Sequence, residues 1–221
     1  MAGEPRIKGV AILPIVLGLK TIPRGVAELG PDLRHYLEDS ILPSAWYPER
    51  DFAQLLAALA RCLDPQLLGG EDVWVFFGRS AAQRDIAGTQ HQIPNRSRVD
   101  NPGTYRHIRG GDPRDVARLL ARLKTVWHLY RDQGRVVVAR HASEPFTLIV
   151  RVVDYVFAAP ELVMVQSAYA IEAARLLGLT LQGGLVKARE RNDAYYEWHY
   201  QLEHTPERAA ALQLLPLADA N

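Results

Sequence analysis

The chain has 221 residues, a net charge of +1, 48% hydrophobic residues and 23% charged residues. That is the make-up of one ordinary globular domain, and the near-zero charge excludes a chain that binds polyanions over its whole surface, such as a nucleic-acid protein. Its one cysteine, Cys62, excludes an intrachain disulfide and an all-cysteine metal site.

Arg6 to Leu13 reads as a strand, or a strand running into a helix, with a boundary at Pro14. The apolar run from Val10 to Leu19 is too short to span a bilayer. Glu4 lies among the first charges and no small-residue cleavage site follows, so no signal peptide and a cytoplasmic location are expected. Thr21 to Leu29 and Pro31 to Ser40 are short helix candidates. Leu42-Pro43-Ser44-Ala45-Trp46-Tyr47-Pro48 brackets an aromatic pair between two prolines, which marks a fixed connector. Pro48 to Leu63 is a helix with Phe52, Leu55, Leu56, Leu59 and Leu63 on one face, and Cys62 in that apolar run is expected to be a buried, inert thiol. Gly69-Gly70 breaks the chain. Glu71 to Ala87 then reads as a helix, although Val73 to Phe77 alone also fits a buried strand.

Gly88 to Gly111 is polar and rich in turn residues and in arginine. A segment of that length is a mobile surface loop, a lid, or an anion contact. Asp112 to Gly134 has helical spacing over five turns, with Val116, Leu119, Leu120, Leu123, Val126, Trp127 and Tyr130 in one apolar stripe. Asp112 suits the N-cap, Pro113 the first position and Gly134 the C-terminal stop. Its opposite face carries Arg114, Arg118 and Arg122, a solvated face or a contact for an acidic partner or anion. Arg135–Arg140 with Pro145–Val153, and Leu181–Glu190 with Ala194–Leu202, read as two hairpins around a helix from Pro160 to Leu177. In the last strand Tyr196, Trp198, Tyr200 and Leu202 face one way, and Glu197 and His199 the other. Pro206 onward reads as a short helix and a frayed tail.

Catalytic signatures are missing. The seven histidines form no HExxH and no closely spaced metal pair. No nucleophile elbow, phosphate loop or dinucleotide fingerprint occurs, and no nucleophile, base and oxyanion set can be assembled. Glu197, His199 and His204 are near one another in sequence, as polar neighbours on an exposed face or as an acid–base or metal cluster. A site built from His107, Arg109 and His199 is the one enzymatic reading left. The aromatic residues come from four separate elements, and their convergence would give either an ordinary core or an apolar pocket between helices and sheet.

The order of motifs carries a resemblance. Ile7-Lys8-Gly9, then Leu42-Pro43-Ser44-Ala45-Trp46-Tyr47-Pro48, then Phe77-Gly78-Arg79, then Trp127-His128-Leu129-Tyr130-Arg131-Asp132-Gln133-Gly134, resemble a family typical of myxobacteria. More distantly the chain is similar, over residues 6–203, to the superfamily of 4-vinyl-reductase domains, heme-nitric-oxide-binding domains and transport-particle (TRAPP) subunits. That resemblance implies an α+β fold with helices against a twisted antiparallel sheet, a hydrophobic ligand enclosed between them, and dimers. Heme-binding members carry a Tyr-x-Ser-x-Arg signature that this chain lacks, so no heme is assigned. Nor is any other cofactor or metal: cysteines near the closing strands, frequent in the 4-vinyl-reductase relatives, are missing here.

The expectation is therefore a single α+β domain over residues 1–205 with a tail at 206–221. The leading function is a non-enzymatic sensory or regulatory module that binds a small apolar ligand, with Trp46, Trp127, Tyr130 and Trp198 lining the pocket. The alternative is a dimeric protein–protein interaction module without ligand, in which Arg114, Arg118 and Arg122 would contact the partner. Neither reading involves nucleic acid or a membrane span.

Overall fold

The computed structural model describes residues 3–86, 123–125, 127–157, 159–176, 178–188 and 193–218. The Gly88 to Gly111 segment and the expected helix start at Asp112, with Arg114, Arg118 and Arg122, lie outside them. The chain folds as α+β, around two hydrophobic cores.

The N-terminal half starts with a short ladder. Strand β1 (Arg6–Lys8) pairs antiparallel with β2 (Trp46–Pro48). The expected proline-bracketed connector is thus partly strand, and Lys8 lies opposite Trp46 with its ammonium 3.8 Å from the ring centre. Helix α1 (Gly9–Thr21) runs straight through Pro14, where the sequence suggested a boundary. An interior proline loses one backbone hydrogen bond, and burial of Ile12, Ile15, Val16 and Leu19 against the first core offsets that loss. The helix expected over Thr21 to Leu29 does not form. Gly25 turns the chain back so tightly that a Cβ there would sit 2.1 Å from the Leu19 carbonyl oxygen, which leaves a series of turns instead. Pro31–Leu33 is a 3-10 turn leading into α2 (His35–Glu38).

Helix α3 (Glu49–Cys62) carries the expected apolar stripe, with Phe52, Leu55, Leu56, Leu59 and Cys62 buried on α1. Burial raises the pKa of the Cys62 thiol, which leaves it protonated and inert. Gly69 and Gly70 both take positive φ and turn the chain into α4 (Val73–Ile86), which resolves the strand-or-helix ambiguity at Val73 in favour of helix.

The C-terminal half is a four-stranded antiparallel sheet in the order β3-β4-β6-β5: β3 (Arg135–Arg140), β4 (Thr147–Val153), β5 (Leu181–Lys187) and β6 (Tyr196–Leu202). Both expected hairpins are present, and Gly183-Gly184 lie inside β5 rather than at a turn. Register puts Val136, Val138, Leu148, Val150, Val152, Tyr196, Trp198, Tyr200, Leu181 and Leu185 on one face. Helix α5 (Pro160–Leu176) joins β4 to β5 and feeds both cores, Leu162 entering the first and Val163 and Ala174 the second. The expected tail begins with a packed helix, α6 (Pro206–Gln213), whose Ala211 and Leu212 belong to the second core. Beyond it, Arg140 and Leu217 form a parallel bridge at the β3 edge. No described helix is long and apolar enough to cross a membrane.

Helices α4 and α5 meet at close range because Gly78 has no side chain. A Cβ there would lie 2.2 Å from the Val165 carbonyl oxygen and 2.7 Å from the Ala168 Cβ. Across the same contact the Gln83 amide donates to Glu172 (2.8 Å), which also accepts two hydrogen bonds from Arg175. Those guanidinium bonds, with Gln83 adding to them, pull the Glu172 carboxyl from 4.5 down to about 2.

Two predictions follow from this contact. Gly78→Ala forces backbone apart and should cost about 1–3 kcal/mol, the usual range for overpacking; an unchanged urea midpoint would show that the helices part freely. Because the folded-state pKa of Glu172 is depressed, its contribution is present above pH 4.5 and is lost as pH falls toward 2. Stability measured across that window should fall less steeply in Glu172→Gln than in the parent chain.

Candidate functional site

The two cores do not meet in a solid interface. Between them lies a cavity of about 420 Å³. The first core contributes Ile7, Ile15, Phe52, Leu56 and Leu59 to its wall. The sheet contributes Val136, Leu148, Val150, Val152, Trp198 and Tyr200. Helices α4 and α5 close a third side with Phe77, Ser80, Ala81, Arg84, Asp85, Val165, Gln166, Tyr169, Ala170 and Ala173. The residues just before β3 supply Leu123, Trp127 and Tyr130 from helical turns, and Arg131, which bridges to Ile7. Most of this wall is hydrocarbon and aromatic carbon, and the volume falls within the range of ligand pockets.

Of the four aromatic residues singled out from the sequence, Trp127, Tyr130 and Trp198 lie on the cavity wall. Trp46 does not: β-pairing fixes it beside Lys8, at the β1–β2 ladder. Each indole on the wall has its N–H satisfied, as a buried Trp requires. Trp127 Nε1 donates to the Gln133 carbonyl (2.8 Å) and Trp198 Nε1 to Ser167 Oγ on α5 (2.7 Å). Tyr155 stands edge-on to Trp127 at 5.3 Å, and Tyr196 connects Tyr155 to Trp198. The helical stripe and the last strand thus meet through a chain of rings.

One ion pair anchors this wall to the first core. Arg131 Nε donates to Glu49 Oε1 at 2.8 Å; the glutamate side chain is fully buried and the arginine 12% exposed. Burial would lower the Arg131 pKa, but the Glu49 carboxylate beside it outweighs this and raises it, so the guanidinium stays charged. Arg131 also lies over the Trp127 ring at 4.4 Å. The next residue, Asp132, accepts from the Arg6 backbone N–H (2.8 Å) and side chain (2.6 Å). Sequence reasoning missed Arg131 and the polar residues of α4 and α5. The available signal was the small-residue content of α5 together with Gly78 on α4, of which Ala168 meets Gly78 directly.

Of the expected Glu197, His199 and His204 cluster, the structure brings only Glu197 and His199 together. Glu197 is buried on the far face of the sheet, ion-paired to Arg151, 3.8 Å from Lys187 Nζ, and bonded to His199 Nε2 at 3.0 Å. Burial would raise its pKa, but the bonds from Arg151 and His199 prevail and lower it. It is a carboxylate that ties together Arg151 and Lys187 from the two neighbouring strands and His199 on its own strand. His204 stacks on Phe146 instead, and His128 is exposed. His107 and Arg109 lie outside the described residues. Among the described residues no group of His, Cys, Asp and Glu could hold a metal ion.

No protein-family model matches the chain, and no curated protein sequence is significantly similar. The fold, in contrast, has clear neighbours among solved structures, and they are H-NOX domains. An Fe(II) unliganded H-NOX protein from K. algicida superimposes over 90% of this chain and 98% of its own, with a TM-score of 0.55 at 12% identity. A mutant H-NOX of T. tengcongensis matches over 90% and 99%, with a TM-score of 0.54 at 8% identity. An oxygen-binding H-NOX domain related to soluble guanylate cyclases matches over 89% and 95%, with a TM-score of 0.51 at 10% identity. The chain therefore shares its fold with these H-NOX domains, at identities too low to carry more than the fold.

A heme needs an axial donor, which in proteins is His, Cys, Met or Tyr. The described wall carries no His, Cys or Met. Of its tyrosines, Tyr169 donates to Asp85 Oδ2 (3.3 Å), and burial raises the Tyr200 pKa, which keeps that phenol neutral and a poor iron ligand. The described wall thus offers a heme none of the His, Cys or Met ligands.

Removal of one partner of the Glu49–Arg131 pair leaves the other charge buried and should cost about 3–5 kcal/mol. Arg131→Met should show this as a lowered urea midpoint, with the Trp127 fluorescence altered before global unfolding. A loss below about 1 kcal/mol, the range of exposed pairs, would mean that the two halves do not depend on this contact.

Proposed function

We propose that this protein is a sensory or regulatory module that holds a small apolar ligand in the cavity between its two cores, without catalysing a reaction. The observation that carries this reading is the cavity itself: about 420 Å³ of apolar space walled by both cores and both long helices. Interiors are normally close-packed, with few voids larger than a water molecule, so a space of this size calls for an occupant. The fold likeness supports the same reading at a coarser level, since an oxygen-binding domain is built on this scaffold. Trp127, Tyr130 and Trp198 are the aromatic contacts we assign to the ligand, and a change in the occupant would reach the first core through Arg131 and Glu49. A homodimer remains part of the proposal.

Native mass spectrometry of freshly purified protein, compared with the denatured mass, tests it. An added mass that disappears on denaturation is the expected result, and stripping that mass should lower the melting temperature, because a ligand at 100 times its Kd stabilises by about 2.7 kcal/mol. Ala170→Phe, which fills the cavity from α5, should abolish the added mass. A dimer with no added mass, and no loss of stability on delipidation, would transfer the function to a protein interface.

A further inference from the structure

The cavity also has an electrical character. Three charged side chains reach its wall: Arg84, Asp85 and Arg131. Arg131 is matched by Glu49 directly behind it (2.8 Å). Arg84 is matched by Asp85 (3.4 Å), which also accepts from the Tyr169 hydroxyl (3.3 Å). Two cations thus face two anions, and neither sign is left over. A carboxylate ligand could recruit Arg131 only by displacing Glu49, which would strand a fully buried carboxylate; an ammonium could recruit Asp85 only at the expense of Arg84 and Tyr169. The first exchange strands a fully buried charge, a costly arrangement in a protein interior; the second acts on a part-exposed pair and costs Asp85 its hydrogen bonds from Arg84 and Tyr169.

Two uncharged polar side chains remain. Ser80 on α4 and Gln166 on α5 lie on the same wall, and neither has a hydrogen-bond partner among the described residues. They come from α4 and α5, the two helices that Gly78 brings together. A hydroxyl and a primary amide offer both donors and acceptors without charge.

We infer that the ligand is an uncharged organic molecule with an apolar body and one neutral hydrogen-bonding group, a hydroxyl or carbonyl, seated against Ser80 and Gln166. This rests on the proposed ligand-binding role and goes further by assigning the ligand's charge, its polar group and the side chains that recognise it. Selectivity in such a site comes from the penalty on charged analogues, since a neutral one leaves both ion pairs intact.

The test uses three probes of one chain length, decanol, decanoate and decylamine, at neutral pH and below their aggregation concentrations. Binding to the ligand-stripped full chain is followed by calorimetry and by melting temperature. Decanol should bind at least tenfold more tightly than either charged probe, and Ala170→Phe should abolish its binding. The Ser80→Ala/Gln166→Leu double variant should weaken decanol binding about tenfold while its melting temperature without probe stays close to the parent value. If decanoate or decylamine binds as tightly as decanol and Ala170→Phe blocks it, the cavity binds ligands but the neutral-ligand inference is wrong. If the double variant binds decanol unchanged, the assignment of the polar end is wrong. If no probe binds and the purified protein carries no added mass, the ligand-binding reading itself falls, and this inference with it.

Discussion

The Glu49–Arg131 ion pair is the contact on which the arrangement depends. Here, among the described residues, a fully buried carboxylate beside the first core meets a charge from the cavity wall. Desolvating both groups is expensive, and the pair is tolerable only because each offsets the other at hydrogen-bond distance. That requirement fixes the helix end that carries Trp127, Tyr130 and Arg131 relative to α3. Once this end is fixed, the ring chain from Trp127 through Tyr155 and Tyr196 to Trp198 sets its position over the sheet. The cavity is what remains between two well-packed cores held at that separation.

Much of this architecture can be read from the residues. Alternation in Tyr196-Glu197-Trp198-His199-Tyr200 places the aromatic side chains on the core face, and the stripe of α3 is plain from Phe52 to Leu59. The four strands β3 to β6 and the helices α3 and α5 follow from period and turn residues alone. Local rules failed where tertiary contact outweighed them. Pro14 was expected to end α1, but the apolar residues on both sides of it had a surface to bury against. Thr21 to Leu29 carries a helical pattern that the close approach of Gly25 to Leu19 defeats.

The candidate site was legible only in part, for a physical reason. Trp127, Tyr130 and Trp198 stand out because large aromatics in periodic segments point inward. Trp46 stands out equally and yet belongs to the β1–β2 ladder, since sequence reports that an aromatic residue is held but not by what. Arg131 is one charged residue among many until Glu49 is placed beside it, 82 positions earlier. Ser80 and Gln166 look like ordinary surface residues of two helices; only the crossing at Gly78 puts them on one wall.

The position of the cavity bears on how the molecule holds together as a whole. Each core has its own buried residues, and few side chains, Phe157 among them, pack against both. Cooperativity between two such halves depends on the contacts across their boundary, and here much of that boundary is open space. An occupant would touch both cores at once and supply contacts that the polypeptide does not. Whether the two halves melt as one unit or as two thus becomes a property of the complex, and occupancy is converted into mechanical coupling between the ends of the chain.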